Sequence, residues 1–231
     1  STRRDATFGA LRGAAASRGG RSLRIIPVTT IGVVALSAFC LLAPAHGAKR
    51  APQFSGVTKC RTCHEKQDIG DQYGSWRASP HARAFETLGS EAAKKIAAQR
   101  GLGPDPRQID ACLACHTAAH DEPKDRVARS YKDEEGVSCE ACHGPGSIYR
   151  SKQIMLDHTK SVANGLIEPG AETCARCHNP RSPSWDPSRY TLADGSKAGF
   201  DFGQARAKIA HPVPAGYTPP TGADDAGPSD D

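Results

Sequence analysis

Cysteine and histidine recur in this chain at a spacing that suits one kind of cofactor. The pattern Cys-X-X-Cys-His occurs four times, at Cys60/Cys63/His64, Cys112/Cys115/His116, Cys139/Cys142/His143 and Cys174/Cys177/His178. It is the attachment pattern of c-type haem, in which two thiols add to the vinyl groups of one porphyrin and the next histidine binds the iron. The sequence therefore predicts four covalently bound haem c groups, each with its own proximal histidine.

Other uses of paired cysteines fit this pattern less well. A disulfide framework has no reason to place histidine directly after each pair. Zinc sites usually take their cysteines and histidines as two paired halves with a wider gap before each histidine. A thioredoxin-like pair would occur once, near a strand and a helix. The ninth cysteine, Cys40, belongs to none of the four motifs and lies in a different kind of segment.

The second axial ligand decides what each haem can do, because a six-coordinate iron transfers electrons while a five-coordinate iron can also bind a small molecule. Beyond residue 48 the chain has four histidines outside the motifs: His81, His120, His158 and His211. Counting alone leaves their assignment open. His120 follows His116 by only four residues. Three roles stay open for it: a surface residue, a ligand to another haem, and a ligand to a haem in a neighbouring subunit. We interpret Met155, the only methionine, as a packing residue.

The N-terminal segment has the features of an export signal. Six arginines within residues 3–24 precede an apolar run over 31–43, and Ala43-Pro44-Ala45 resembles a small-residue cleavage site. This order of basic, apolar and small residues is typical of a secretory signal peptide, predicted here over 1–48. The alternative is an uncleaved membrane anchor, since 25–43 is about long enough to cross a bilayer. Either interpretation predicts a periplasmic haem domain.

The charge of the chain changes when this segment is removed. Residues 1–48 hold six arginines and a single acidic residue, Asp5, so the rest of the chain has equal numbers of positive and negative side chains. Haem propionates would then make the assembled protein acidic. A nucleic-acid partner is therefore not expected. The expected partners are redox proteins: a periplasmic oxidoreductase as donor and a membrane or soluble cytochrome as acceptor, with membrane contact only through the N-terminus.

The four motifs, the composition and the local sequence patterns together predict a mainly α, small multihaem c-type cytochrome fold with a haem-filled core and little or no sheet. Only 38% of the residues are apolar, which is too few for a large core, whereas four porphyrins would supply apolar bulk and covalent links. We expect one haem domain over 49–215 and a disordered acidic tail over 216–231. Ser90 predicts the start of a helix over Glu91–Arg100. A second helical pattern over Gln72–Leu88 is interrupted near Pro80.

Several stretches resemble the tetrahaem cytochrome c-554 family. They are Cys60 to His64 followed by Trp76, then Ser79-Pro80-His81-Ala82-Arg83-Ala84, the run from Gly136 to Gly146 around the third motif, and Lys208-Ile209-Ala210-His211 after the fourth. The resemblance covers about residues 55–215. It implies three bis-histidine haems and one five-coordinate haem.

Matching positions imply a ligand for each six-coordinate haem. His81 would bind the haem of His143, His158 that of His64, and His211 that of His178. The haem of His116 would keep an open distal side. His120 departs from the family pattern.

The resulting hypothesis is a periplasmic tetrahaem cytochrome that relays electrons between redox partners and is not an enzyme. Two alternatives stay open. One is a haem enzyme acting on a small nitrogen oxide or hydroxylamine at the five-coordinate haem of His116. The other is a membrane-held subunit of a larger electron-transfer assembly.

Overall fold

Short helices joined by turns dominate the structure, a computed structural model that describes residues 50–214. These residues lie in the unit Ala48–Asp231, whereas the unit Ser1–Gly47 falls outside them. The α-helices are α1 Thr58–His64, α2 Gln72–Ala78, α3 Ala84–Thr87, α4 Glu91–Gln99, α5 Asp110–His116, α6 Cys139–His143, α7 Lys152–Met155, α8 His158–Ala163, α9 Ala171–Ala175 and α10 Phe202–Ile209. The prediction of a mainly α fold is confirmed.

The remaining regular elements are brief. The 3-10 helices are Gln67–Ile69, Pro80–Arg83, Pro106–Gln108, Lys124–Arg126 and Asp133–Glu135. Strands β1 Tyr190–Thr191 and β2 Lys197–Ala198 form an antiparallel pair in which Tyr190 faces Ala198. It is the only sheet within residues 50–214, in keeping with the expectation of little or no sheet.

The two predicted helical regions are confirmed nearly to their ends. Ser90 caps α4 through its hydroxyl, which accepts a hydrogen bond from the backbone N–H of Ala93 at 3.2 Å. The helix ends at Gln99, one residue early, and Gly101 follows with φ +64°. Over 72–87 the chain forms α2, the 3-10 turn that begins at Pro80, and α3. The turn arises because proline cannot continue the hydrogen-bonded ladder of a helix.

The apolar core of the described residues is small, as the composition predicts. Phe54, Ala119 and Tyr131 form a buried cluster. The Phe54 N–H donates to the carbonyl of Arg126 at 2.7 Å, and the Phe54 carbonyl accepts from Ala128 at 2.9 Å. The segment that precedes the first motif is therefore fastened to the loop that follows the second.

Within residues 50–214, no helix is both long and apolar enough to span a membrane. The predicted signal peptide, Cys40 and the predicted acidic tail over 216–231 lie outside the described residues.

Candidate haem-binding sites

Each Cys-X-X-Cys-His motif lies on or directly after a short helix. The first three motifs close α1, α5 and α6, each of which ends at the motif histidine. Helix α9 ends at Ala175, and the fourth motif continues in a turn in which the His178 N–H donates to the Cys174 carbonyl at 2.9 Å. One helical turn between the cysteines places both thiols and the histidine on neighbouring faces of the backbone.

A buried carboxylate joins the first motif to the third. Glu140, one of the two residues between Cys139 and Cys142, is only 2% exposed. Its oxygens accept hydrogen bonds from the backbone N–H groups of Ser55 at 2.8 and 2.9 Å, Gly56 at 2.8 Å and Gly146 at 2.6 Å. Burial raises the pKa of Glu140, and these three donors oppose the rise. The carboxylate thus holds the start of α1 against α6.

The docking of these helices brings thiols of different motifs together. The contact with the Cys139 thiol, together with burial, raises the pKa of Cys60. Burial, with Cys115 beside it, raises the pKa of Cys177 to about 12. Burial, with Cys174 nearby, raises the pKa of Cys142 to about 11. The first motif thus contacts the third at Cys60 and Cys139, and the second contacts the fourth at Cys115 and Cys177, while Cys142 of the third motif lies near Cys174 of the fourth.

Three motif histidines use Nδ1 for a hydrogen bond to an oxygen acceptor. His64 Nδ1 lies 3.0 Å from Gln72 Oε1, His116 Nδ1 lies 2.7 Å from the carbonyl of Ala84, and His143 Nδ1 lies 3.1 Å from the carbonyl of Ile167. A carbonyl oxygen only accepts, so these rings carry their proton on Nδ1. The free lone pair is then on Nε2, and a histidine of this tautomer binds a metal through that atom.

Two pairs of histidine rings lie close together, one pair edge-on with an interplanar angle of 66° and the other tilted at 49°, at a centroid separation that suits one iron between them. The ring centroids lie 6.0 Å apart for His81 and His178, and 6.0 Å apart for His143 and His211. A metal–imidazole bond is about 2 Å long and the ring centre lies about 1 Å beyond the nitrogen, so two rings on one metal have centroids about 6 Å apart. Burial lowers the pKa of His81, His143 and His178, which favours the neutral ring that a metal needs. The residues present therefore fit a bis-histidine haem.

These ring contacts are not the ligand pairs that the resemblance implied, and the ligand pairs themselves stay predictions. His81 faces His178 and not His143, while His211 faces His143 and not His178. Phe200, which follows the hairpin, stacks on the His178 ring, with its ring centroid 5.7 Å from that of His178. Sequence matching could not reveal the docking of that segment.

The backbone of His81 is held against the third motif. Its carbonyl accepts from the Val137 N–H at 3.0 Å, and the Val137 carbonyl accepts from the Trp76 indole at 2.9 Å. Gly136 has φ +67°, and a Cβ there would lie 2.7 Å from the His81 carbonyl oxygen. The glycine before the motif is therefore required for this close approach.

The loop after the second motif is anchored by a tyrosine. The Tyr131 hydroxyl accepts from the N–H groups of Ala118 at 3.0 Å and Ala119 at 3.1 Å, and burial raises its pKa to about 12. His120 Nε2 lies 3.1 Å from Asp110 Oδ1, at the start of the helix that carries the same motif. A cavity of about 550 Å³ adjoins this loop, with Phe85, His120 and Tyr131 in its wall.

His158 differs from the paired histidines. It begins α8, and its Nε2 lies 2.8 Å from Glu168 Oε1, so a carboxylate holds the nitrogen that usually binds haem iron. Met155 ends α7 and is half-buried, in keeping with a packing residue. In the described part of the chain, no three side chains of histidine, cysteine, aspartate or glutamate form a site for a bare metal ion.

Sequence reasoning missed Gln72 and Glu140, whose side chains hold the first motif in place. Gln72 stands eight residues after His64 with no recognisable motif around it. Glu140 occupies a variable place inside a motif, where an exposed carboxylate is the ordinary expectation. Their partners are distant in sequence or are backbone groups, so no local pattern identifies them.

Comparison with known proteins shows which family and which relatives this chain is similar to. Residues 59–144 match the family described as cytochrome c554 and c-prime. Cytochrome c-554 of Nitrosomonas europaea is 35% identical to the chain over 133 residues, which is 56% of this chain and 52% of that protein. The chain thus matches about half the length of this relative. A solved structure of reduced cytochrome c554 from the same organism has a TM-score of 0.39 at 25% identity, covering 69% of this chain and 79% of that one.

Proposed function

We propose that this chain is a tetrahaem c-type cytochrome of the cytochrome c554 family, whose model residues 59–144 match, and that it relays electrons between redox proteins. The observation that carries the proposal is the set of four Cys-X-X-Cys-His motifs, three of whose histidines donate through Nδ1 and leave Nε2 for a metal. When bound, haem iron supplies the reversible change between ferric and ferrous states.

Different residues would attach each haem to the chain and bind its iron. The attachment residues are Cys60, Cys63, Cys112, Cys115, Cys139, Cys142, Cys174 and Cys177. The proximal ligands are His64, His116, His143 and His178. For the distal ligands we propose His81 opposite His178 and His211 opposite His143, following the two ring pairs at 6.0 Å.

His158 remains our proposed distal ligand for the haem of His64, and it would have to exchange Glu168 for iron. The haem of His116 is then the one left with an open distal side. A relay with one open site is still an electron carrier, because catalysis would also need a substrate to reach that iron.

We also propose that the protein works in the periplasm. The support is the basic and apolar order of residues 1–48, which is typical of export. The haem domain would span 49–215, and 216–231 would form an acidic tail. The donor and acceptor would be redox proteins, with membrane contact only if the N-terminal segment is retained.

Mass spectrometry of the purified protein, combined with a redox titration followed by electron paramagnetic resonance, tests the proposal. We expect a mass increase of four haems, three low-spin irons and one high-spin iron. A haem-free chain would overturn it. A high-spin iron that turns over nitric oxide or hydroxylamine would replace the carrier by the enzyme alternative at His116.

A further inference from the structure

Gln72, the first residue of α2, has every polar atom of its side chain hydrogen-bonded. It is only 8% exposed. Its amide nitrogen donates to the carbonyl of Ile69 and to the carbonyl of Pro212, the latter at 3.0 Å. Its Oε1 lies 3.0 Å from Nδ1 of His64. The amide therefore joins α1 to a segment 140 residues further along the chain.

The partners of Gln72 determine which way its amide faces. Carbonyl oxygens only accept, so Ile69 and Pro212 require the NH₂ group on their side. The oxygen must then face His64, and an oxygen can only accept. His64 is therefore the donor, its proton lies on Nδ1, and its Nε2 lone pair is free for iron.

The Pro212 carbonyl serves a second histidine. His211 Nδ1 lies 3.2 Å from the same oxygen that accepts from Gln72. The His211 ring is one member of the pair with His143. A continuous chain of hydrogen bonds thus runs from His64 through Gln72 and Pro212 to His211.

The chain of hydrogen bonds has a histidine ring at each end, and the two rings belong to different haem sites. His64 is the histidine of the first motif, and His211 faces the histidine of the third. The thiols of these two motifs, Cys60 and Cys139, are also in contact. The hydrogen-bond chain therefore links sites that are already neighbours.

We propose that Gln72 is a positioning residue that sets the ligand strength of His64 and couples it to that of His211. The inference rests on the proposed function, since it concerns haem ligands. An acceptor at Nδ1 makes imidazole a stronger ligand, which favours ferric iron and lowers the reduction potential. Pro212 accepts from both Gln72 and His211, so losing one donor strengthens the bond with the other.

Gly70 makes this arrangement sterically feasible. Its φ is +104°, and a Cβ would lie 2.9 Å from the Gln72 amide nitrogen and 3.0 Å from Cβ of Pro212. Only glycine combines this backbone conformation with so close an approach.

Gln72→Leu in the haem-loaded protein tests the proposal through the individual reduction potentials. We expect one low-spin centre to rise in potential, because His64 loses its acceptor. A second should fall, because His211 then has the Pro212 carbonyl to itself, and the other two should not move. A general loosening of the fold would not shift two centres in opposite directions.

Gln72→Glu is the second variant, and it keeps the shape of the side chain. Its carboxylate is a stronger acceptor for His64, so the centre that rises in Gln72→Leu should fall here, while the loss of the amide donor to Pro212 should lower the second centre as it does in Gln72→Leu. If Gln72→Leu loses a haem, its reduction potentials cannot be compared with those of the wild type, and Gln72→Glu then tests the proposal. Unchanged potentials in Gln72→Glu would overturn the proposal.

Gln67 provides matched controls. Its amide donates to Asp71 Oδ2 at 2.9 Å, and its side chain is exposed five residues before Gln72. Gln67→Leu and Gln67→Glu should leave the order and spacing of the potentials unchanged. If they reproduce the shifts, the effect is not specific to Gln72 and the proposal is wrong. Four haems bound in every variant would leave the proposed function standing in either case.

Discussion

At the scale of single residues, the histidines differ in which ring nitrogen makes a hydrogen bond. His64, His116 and His143 donate through Nδ1 and leave Nε2 for a metal, whereas the Nε2 atoms of His120 and His158 lie beside carboxylates. Their hydrogen-bond partners thus leave Nε2 available in the first three rings and engaged by a carboxylate in the other two.

Substitution of His81 by alanine should convert one low-spin haem to high spin. The ring faces His178 at a centroid distance of 6.0 Å, and alanine cannot bind iron. Electron paramagnetic resonance of the oxidised protein measures the change. His120→Ala is the control, because His120 contacts Asp110, and it should leave the spectrum as in the wild type. An unaltered spectrum for His81→Ala would refute the ligand assignment.

Glu140→Gln should lower the free energy of unfolding by about 3 kcal/mol, because an amide cannot accept from all three backbone N–H donors and adds N–H groups of its own. Chemical denaturation of the haem-loaded protein, followed by circular dichroism, provides the measurement. Glu134→Gln, at an exposed glutamate nearby, should change stability by less than about 0.5 kcal/mol. Equal effects at the two sites would contradict the role given to Glu140.

At the scale of elements, short helices are positioned by the turns between them. The 3-10 turn at Pro80 presents His81, and the backbone of Val137 holds it there. The hairpin of β1 and β2 leads to Phe200, which stacks on His178. Elements of only two to nine residues therefore place ligands through contacts with other elements.

Gly136→Ala and Gly101→Ala separate backbone strain from close packing. Both glycines have positive φ, +67° and +64°, but only a Cβ at 136 meets the His81 carbonyl, whereas nothing lies within 4 Å of one at 101. Gly101→Ala should cost about 1–2 kcal/mol through the left-handed conformation alone. Gly136→Ala should cost about 1–3 kcal/mol more from overpacking. Thermal unfolding compares the two, and equal costs would show that the His81 contact carries no energy.

At the scale of the whole molecule, the apolar side chains of residues 50–214 alone give little stabilisation. The buried apolar residues of the described part are Phe54, Val57, Leu88, Ala97, Leu113, Ala119, Tyr131, Tyr149 and Tyr190. A core of this size seldom supports a domain without covalent or metal links.

The chain produced without haem attachment should therefore not fold. Far-ultraviolet circular dichroism and proton nuclear magnetic resonance of the haem-free polypeptide should show little helix and poorly dispersed amide signals. The haem-loaded protein is the reference sample. A dispersed spectrum from the haem-free chain would show that its side chains suffice for the fold.

The amino-acid sequence alone predicted the features that depend on neighbours in the chain. The four motifs, the Ser90 cap, the break at Pro80 and the low apolar content lead to a helical multihaem protein. Each of these features depends on covalent spacing or on local backbone preference, so a short stretch of sequence is enough to predict it.

Only the tertiary structure decided which histidines face each other and what holds them. The ring contacts His81–His178 and His143–His211 join residues far apart in the chain. They are not the ligand pairs that the family resemblance implied. Gln72 and Glu140 act through distant backbone groups that leave no periodic signal. Long-range docking depends on the sum of many weak contacts, which spacing along the chain does not encode.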